Sequence, residues 1–200
     1  YADCVRDHYT MYQLQKWFFK EALYGESQLR HRVAWALSQM WVVSAVDTQQ
    51  ASWMIDYHQD ISKNAFGNYR QLMKDVTLNP AMGDYLDMVR STRNSPNENF
   101  AREILQLFSV GVFMLNQDGT FILDNQGNRI PTFDQDKIDQ FTKVFTGWTH
   151  CNSGNNPACP NASLGAPNLI DPMHLFFPDN HDQTAKSLFD YPGAPHSTIA

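Results

Sequence analysis

Glu98, Asn99, Arg102 and Glu103 lie close together in the chain. At 100° per residue they share one arc of a helix with Gln106 and Ser109. Phe100, Ala101, Ile104, Leu105, Leu107 and Phe108 fill the other side. Two carboxylates beside a guanidinium can supply a general base and an anion clamp. Burial would raise a carboxylate pKa and Arg102 would lower it. The same residues can equally form a solvated face with one ion pair, Glu98 with Arg102. A third arrangement is a buried polar network that clamps neighbouring helices. A second cluster is His181-Asp182, in a turn rich in Pro, Asp and Asn, with Lys186 four residues on. Histidine beside a carboxylate suits acid/base work or metal ligation, and equally a turn whose Asp caps local N–H groups.

Other chemistry-bearing patterns are absent. The chain has no His-Glu-x-x-His, no Glu-x-x-His, no Gly-rich phosphate loop and no Gly-x-Ser-x-Gly. His31 sits between Arg30 and Arg32 as a solvated or interfacial helix residue, and His58 reads as a surface or packing residue. His150 and His174 have no partner at ligand spacing. Asn116-x-Asp118-Gly119 has a calcium-loop flavour, but Met114 and Asn125 stand where carboxylates are needed, so an EF-hand is rejected. No cofactor is assigned. Of the three cysteines, Cys151 and Cys159 bracket a flexible Asn/Gly/Pro loop that could close as a disulfide ring, which points to an oxidising compartment. Two unpaired loop thiols are the competing arrangement, and two cysteines eight apart without a nearby Cys-x-x-Cys are a weak zinc signal. With a disulfide there, Cys4 would be the odd thiol.

The elements that must position these groups are mostly helices. Met11, Leu14, Trp17, Phe18 and Ala22 predict a helix from His8 to Tyr24, broken at Gly25. Further helices are expected over Ser27–Val46, Gln49–Asn64 and Asn68–Leu78. Asn79-Pro80 stops the last of these and opens a short helix to Val89. The 95–111 segment then reads as a complete helix. Ser95 is its N-cap, Pro96 its first residue, Glu98 completes a capping box and Gly111 is the left-handed stop. Turn signals at 116–120 and 124–127 flank Phe121-Ile122-Leu123 and predict a small hairpin or meander. Thr132 and Gln135 form a second capping box, for a helix ending at Gly147. Residues 149–172 read as a surface loop, and Met173–Phe177 and Ala185–Phe189 as short strands around a turn. No internal repeat is evident.

Composition sets the outer limits. Over 200 residues, hydrophobic side chains make up 42% and aromatics 13%, enough for a sizeable core. A net charge of -6 without a basic stripe argues against a nucleic-acid partner. The apolar stretch Val33–Val46 is interrupted by Ser38, Gln39 and Ser44 and is too short to span a bilayer, so no transmembrane segment is expected.

The run from Pro96 to Gly111, Pro-Asn-Glu-Asn-Phe-Ala-Arg-Glu-Ile-Leu-Gln-Leu-Phe-Ser-Val-Gly, resembles the hallmark of a bacterial family, domain of unknown function 1800. Ala65–Leu72, Asn79–Met82 with Tyr85-Leu86-Asp87, Phe145–Trp148, and Phe177, His181-Asp182 and Lys186 resemble its other segments. The resemblance covers most of residues 26–189. Family members commonly carry histidine after the second helix's tryptophan and at the place of Phe108. Trp35–Trp41 and Phe108 depart from both, which weakens any metal site built on them. The resemblance implies that Glu98, Asn99, Arg102, Glu103, His181, Asp182 and Lys186 matter. It also implies export (periplasmic, cell-surface or secreted) and a longer parent chain.

The expected fold is mainly α: one multi-helix, bundle-like domain over 1–200, with one or two small β-hairpins. The expected role is a structural or interaction module of the envelope or secreted fraction. Its partner would be another exported protein or the rest of its own longer chain. The alternative is a hydrolase-type enzyme, with or without metal assistance, joining the 95–111 helix to the His181-Asp182 turn.

Overall fold

A computed structural model describes residues 11–48, 51–151, 170–175 and 178–190, and the backbone of 198–199. The fold is mainly α, with seven α-helices among the described residues. The chain divides into two compact units. The first is Tyr1–Leu86 with Thr149–Phe176, and the second is Asp87–Trp148 with Phe177–Ala200. A two-residue strand, Trp148–Thr149 (β1), straddles the division.

The first unit holds five helices: α1 Tyr12–Tyr24, α2 Gln28–Met40, α3 Ala51–Lys63, α4 Tyr69–Leu78 and α5 Pro80–Tyr85. The expected start of α1 at His8 and of α3 at Gln49 lie outside the described residues, as does most of the 149–172 loop. Helix α2 stops at Met40 rather than running to Val46. Trp41 leaves helical geometry and is fully buried, and its carbonyl accepts the Tyr57 hydroxyl. Ser44 Oγ then accepts from the N–H groups of Val46 and Asp47, a local turn that competes with continued helix. Asn68 caps α4 by accepting from Arg70 N at 2.8 Å. The helix opened by Pro80 ends at Tyr85 rather than Val89. Asp87 takes a left-handed conformation at φ 60°, and Met88–Arg90 is a 3-10 turn. The strand His174–Leu175 (β2) follows Met173, whose N–H donates to Leu78 O at 2.7 Å.

Asn79 organises the core side of this unit. It is buried, and its amide nitrogen donates to Asp56 at 2.8 Å and to Asp60 at 3.0 Å. Its side-chain oxygen caps α5 by accepting from Ala81 N at 3.0 Å. One neutral side chain thus spans two carboxylates one turn apart on α3. Burial, then the neighbouring Asp60, push the Asp56 pKa up to about 6; the Asn79 hydrogen bond offsets part of this and Asp171 adds to it. Asp60 is raised as well, chiefly by burial.

In the second unit, α6 covers Asn99–Gln106 and α7 covers Gln135–Val144. Phe100 meets Phe145 edge-on at 4.7 Å, and Ile138, Thr142, Ala101, Ile104 and Leu105 are buried. The hallmark helix is shorter than the capping motif predicts. Ser95 bridges back to Thr92, and the Asn97 side chain, not Ser95, accepts from Asn99 N at 2.9 Å. Gly111 does adopt positive φ, 74°, and its N–H reaches back to Leu105 O. The N-cap of α7 is Asp134, accepting from Lys137 N at 3.0 Å. Thr132, the expected cap, instead bonds the Gly111 carbonyl through its hydroxyl. Lys186–Ser187 (β3) pairs antiparallel with Thr198–Ile199 (β4), Lys186 opposite Ile199.

The meander between the two helices does carry a repeat, contrary to the expectation of none. Leu107, Leu115 and Leu123 open three octets, Gly111, Gly119 and Gly127 stand fifth in each, and Met114, Ile122 and Ile130 close them. The three glycines all have positive φ. Met114 N donates to Ile130 O, Ile130 N to Ile122 O and Ile122 N to Met114 O, a closed ring of backbone bonds between equivalent positions. The Arg129 guanidinium lies 3.9 Å from the Phe121 ring centroid, and Phe121 meets Phe113 at a right angle.

A raised folded-state pKa means that the native state holds this proton more tightly than the unfolded chain. The Asp56 contribution is therefore fully present below about pH 4 and is lost as pH rises through about 6. Asp56 is only half-buried, so the slope is worth about 1–2 kcal/mol after discounting for solvent screening. Urea unfolding between pH 4 and 7 should show it, and Asp56→Asn should flatten it while raising stability at neutral pH.

Candidate functional site

The hallmark polar face is not one cluster. Glu98 Oε1 accepts from Arg102 at 2.7 Å and Glu98 Oε2 from Gln135 Nε2 at 2.8 Å, while Arg102 also donates to Gln135 Oε1 at 3.1 Å. Gln135 donates in addition to Asp139 at 2.9 Å. Three side chains thus close a ring between α6 and α7. The Arg102 bond, then the Gln135 bond, hold the Glu98 carboxyl below its usual range. Both members of the ion pair are over a third exposed, so the pair stabilises by only a few tenths of a kcal/mol. Asn99 turns the other way and meets Asp87 at 3.5 Å. Glu103 is separate again. Its Oε2 is buried without a hydrogen-bond partner among the described residues.

The His181-Asp182 turn is organised from the end of α7. Thr146 is fully buried. Its carbonyl lies 2.8 Å from His181 Nδ1 and its hydroxyl accepts from Asp182 N at 2.8 Å. Gly147, at φ 80°, donates to Ser91 O, and Arg93 N donates to Asn180 O. A Cβ on Gly147 would stand 2.7 Å from His181 N, so this crossing requires glycine twice over, for its φ and for space. Trp148 Nε1 donates to Val144 O at 3.2 Å. Asp182 also accepts from Thr184 N at 2.8 Å, and the Thr184 bonds, chiefly that of its hydroxyl, keep its pKa low. Lys186 is buried and donates to the Asp182 carbonyl, with the Asp182 carboxylate 4.0 Å away.

Of the residues expected to form a site, Glu98 and Asp182 line one open cleft of about 370 Å³, with Pro96, Asp139, Thr142 and Lys143. Asn99, Arg102, Glu103, His181 and Lys186 are not among its lining residues. Asp139 and Lys143 escaped the sequence reading, although Gln135, Asp139 and Lys143 stand at i, i+4 and i+8 on α7, one readable stripe. Among the described residues no group of three His, Cys, Asp or Glu side chains is disposed to hold a metal ion. Cys151 is buried, whereas Cys159 and Cys4 lie outside the described residues, as does Phe177.

The Thr146-Gly147-Trp148 end and its bonds to 180–182 link segments that the sequence keeps far apart, and these are the segments that carry the family pattern. A sequence model of the family described as protein of unknown function (DUF1800) matches residues 4–196. The chain belongs to the DUF1800 family. It matches no curated protein and no solved structure. In this DUF1800 chain, the hallmark's Glu98 and Arg102 tie α6 to α7, and the threonine-glycine-tryptophan end receives the His-Asp turn.

Gly147→Ala should lower stability by more than about 2 kcal/mol, since both φ and the contact with His181 N are violated. Gly111→Ala has positive φ but nothing within 4 Å of the added Cβ, so it should cost about 1 kcal/mol. Denaturant midpoints of the two variants against the parent chain measure the difference.

Proposed function

We propose that this DUF1800 chain is a structural or interaction module of the envelope or secreted fraction of a bacterium. The observation that carries this reading is how the hallmark groups are used. Glu98, Arg102 and Gln135 bind one another, Asn99 meets Asp87, His181 Nδ1 is engaged by the Thr146 carbonyl, and Lys186 is buried against Asp182. Carboxylates whose pKa values are held low, as at Glu98 and Asp182, are poor proton carriers near neutral pH. Groups spent on one another specify a packing arrangement rather than a reaction. On this reading the partner is another exported protein, the rest of a longer parent chain, or an envelope surface.

The second reading, a hydrolase-type enzyme, draws its support from the open cleft where Glu98, Asp139 and Asp182 face Lys143. A general base, an anion-binding ammonium and room for a small ester or phosphate would share that space. Ester, phosphate and glycoside substrates incubated with the purified chain, with and without added divalent cations, separate the two readings. The module reading expects no turnover above background. Turnover abolished by Glu98→Gln and Asp182→Asn together, with the fold retained, would establish the enzyme instead.

Export and a Cys151–Cys159 disulfide belong to the same proposal. Protein recovered from the exported fraction without reductant should resist alkylation at Cys151 and Cys159. It should become reactive at both after reduction, as read by peptide mass spectrometry. Free thiols at both positions in that fraction would remove the disulfide from the reading.

A further inference from the structure

Helices α1 and α2 depart from the usual inside-out pattern of a water-facing pair, since neither contains a fully buried residue. On α1, Tyr12, Phe19 and Leu23 recur at i, i+7 and i+11, so they share one arc, and they are 60%, 63% and 68% exposed. Lys16 falls on the same arc and Lys20 beside it, both exposed. The helix's acidic residue, Glu21, points away from this strip and sits 3.6 Å from His31. No acidic side chain pairs with Lys16 or Lys20 among the described residues. Next to the strip, a groove of about 230 Å³ between α1 and α2 is lined mainly by Phe18, Phe19, Ala22, Leu23 and Trp35, with Arg32 at its side. Arg32 donates to the Ala22 carbonyl at 3.2 Å and so stays at the groove.

Charge identifies the occupant. Residues 11–46 carry four basic and two acidic side chains, in a chain whose net charge is -6. A second copy docked through this strip by a two-fold would bring the same lysines together, with no carboxylate on the strip to neutralise them. An apolar strip interleaved with lysines, beside an apolar groove with an arginine, matches a helix lying in a lipid–water interface. Its aromatic and leucine side chains enter the acyl boundary while its ammonium groups meet phosphates. No helix among the described residues is long and apolar enough to cross a membrane, so the contact is superficial. We propose that the α1–α2 pair docks this protein on the surface of an anionic phospholipid bilayer. This rests on the interaction-module reading and names its partner.

The whole 200-residue chain, sedimented with vesicles of phosphatidylglycerol and phosphatidylcholine or of phosphatidylcholine alone, tests the proposal. Binding is expected on the anionic vesicles, weakened by salt. Phe19→Ser with Leu23→Ser, and separately Lys16→Glu with Lys20→Glu, should each reduce it about tenfold or more. Leu115→Ser with Leu123→Ser, two exposed leucines elsewhere, should leave it unchanged. Far-ultraviolet circular dichroism confirms that each variant remains folded. Absence of binding by the parent chain, or equal loss in the Leu115/Leu123 variant, overturns the bilayer as partner. Self-association abolished by the Phe19/Leu23 substitutions overturns it in favour of a second copy. Neither outcome bears on turnover, so the interaction-module reading stands or falls separately.

Discussion

The second unit depends on one close crossing: the end of α7 at Thr146-Gly147 against the backbone of residues 180–182. Its specificity comes from two adjacent residues, Thr146 and Gly147, that supply its bonds and its space. Thr146 supplies an acceptor carbonyl and an acceptor hydroxyl from one buried residue, and Gly147 supplies a left-handed φ together with the missing Cβ. A buried polar pair left half-made costs more than it contributes when complete, so the crossing specifies one arrangement. The Ser91–Gly147 and Arg93–Asn180 backbone bonds extend the same seam to the turn that precedes the hallmark helix. By comparison, the Glu98–Arg102–Gln135 ring is exposed and energetically light. It orients side chains more than it holds the unit together.

The first unit is built around a different economy of polar groups. Asn79 donates to two carboxylates and caps a helix with its remaining oxygen, so every polar atom of that side chain is used. A charged clamp would have neutralised Asp56 and Asp60 more fully. A neutral amide leaves both aspartates close together in a partly desolvated place, and their raised proton affinity follows directly.

Legibility in the sequence followed the range of the interaction. Periodicity located the helices and Gly111 marked a left-handed stop, because both signals are local; the glycines at 119 and 127, read only as turn residues, and at 147, read only as a helix end, take positive φ as well. Caps were less secure. Ser95 and Thr132 have cap-like neighbours in sequence, yet Asn97 and Asp134 perform the local bonding, since the flanking chain is pulled aside by the Thr92 bridge and by Gly111. Helix α2 ends short of its apolar period because burial of Trp41 and the Ser44 turn override that period. At the site, Glu98 and Arg102 were readable as an i, i+4 pair. Their Gln135 partner stands more than thirty residues away, and only the fold brings it in. The octet repeat was readable but disguised, since its first copy overlaps the hallmark helix and shares mainly Leu, Gly and an apolar last residue.

That octet ring has a kinetic side. Its bonds join positions eight or sixteen residues apart, so each closure restricts a short loop and loses little chain entropy. The Gly147 crossing needs residues more than thirty apart to meet. Contacts of short sequence separation form earlier on average than distant ones. The meander is thus closed by local contacts alone, and during synthesis all of its residues precede 180–182.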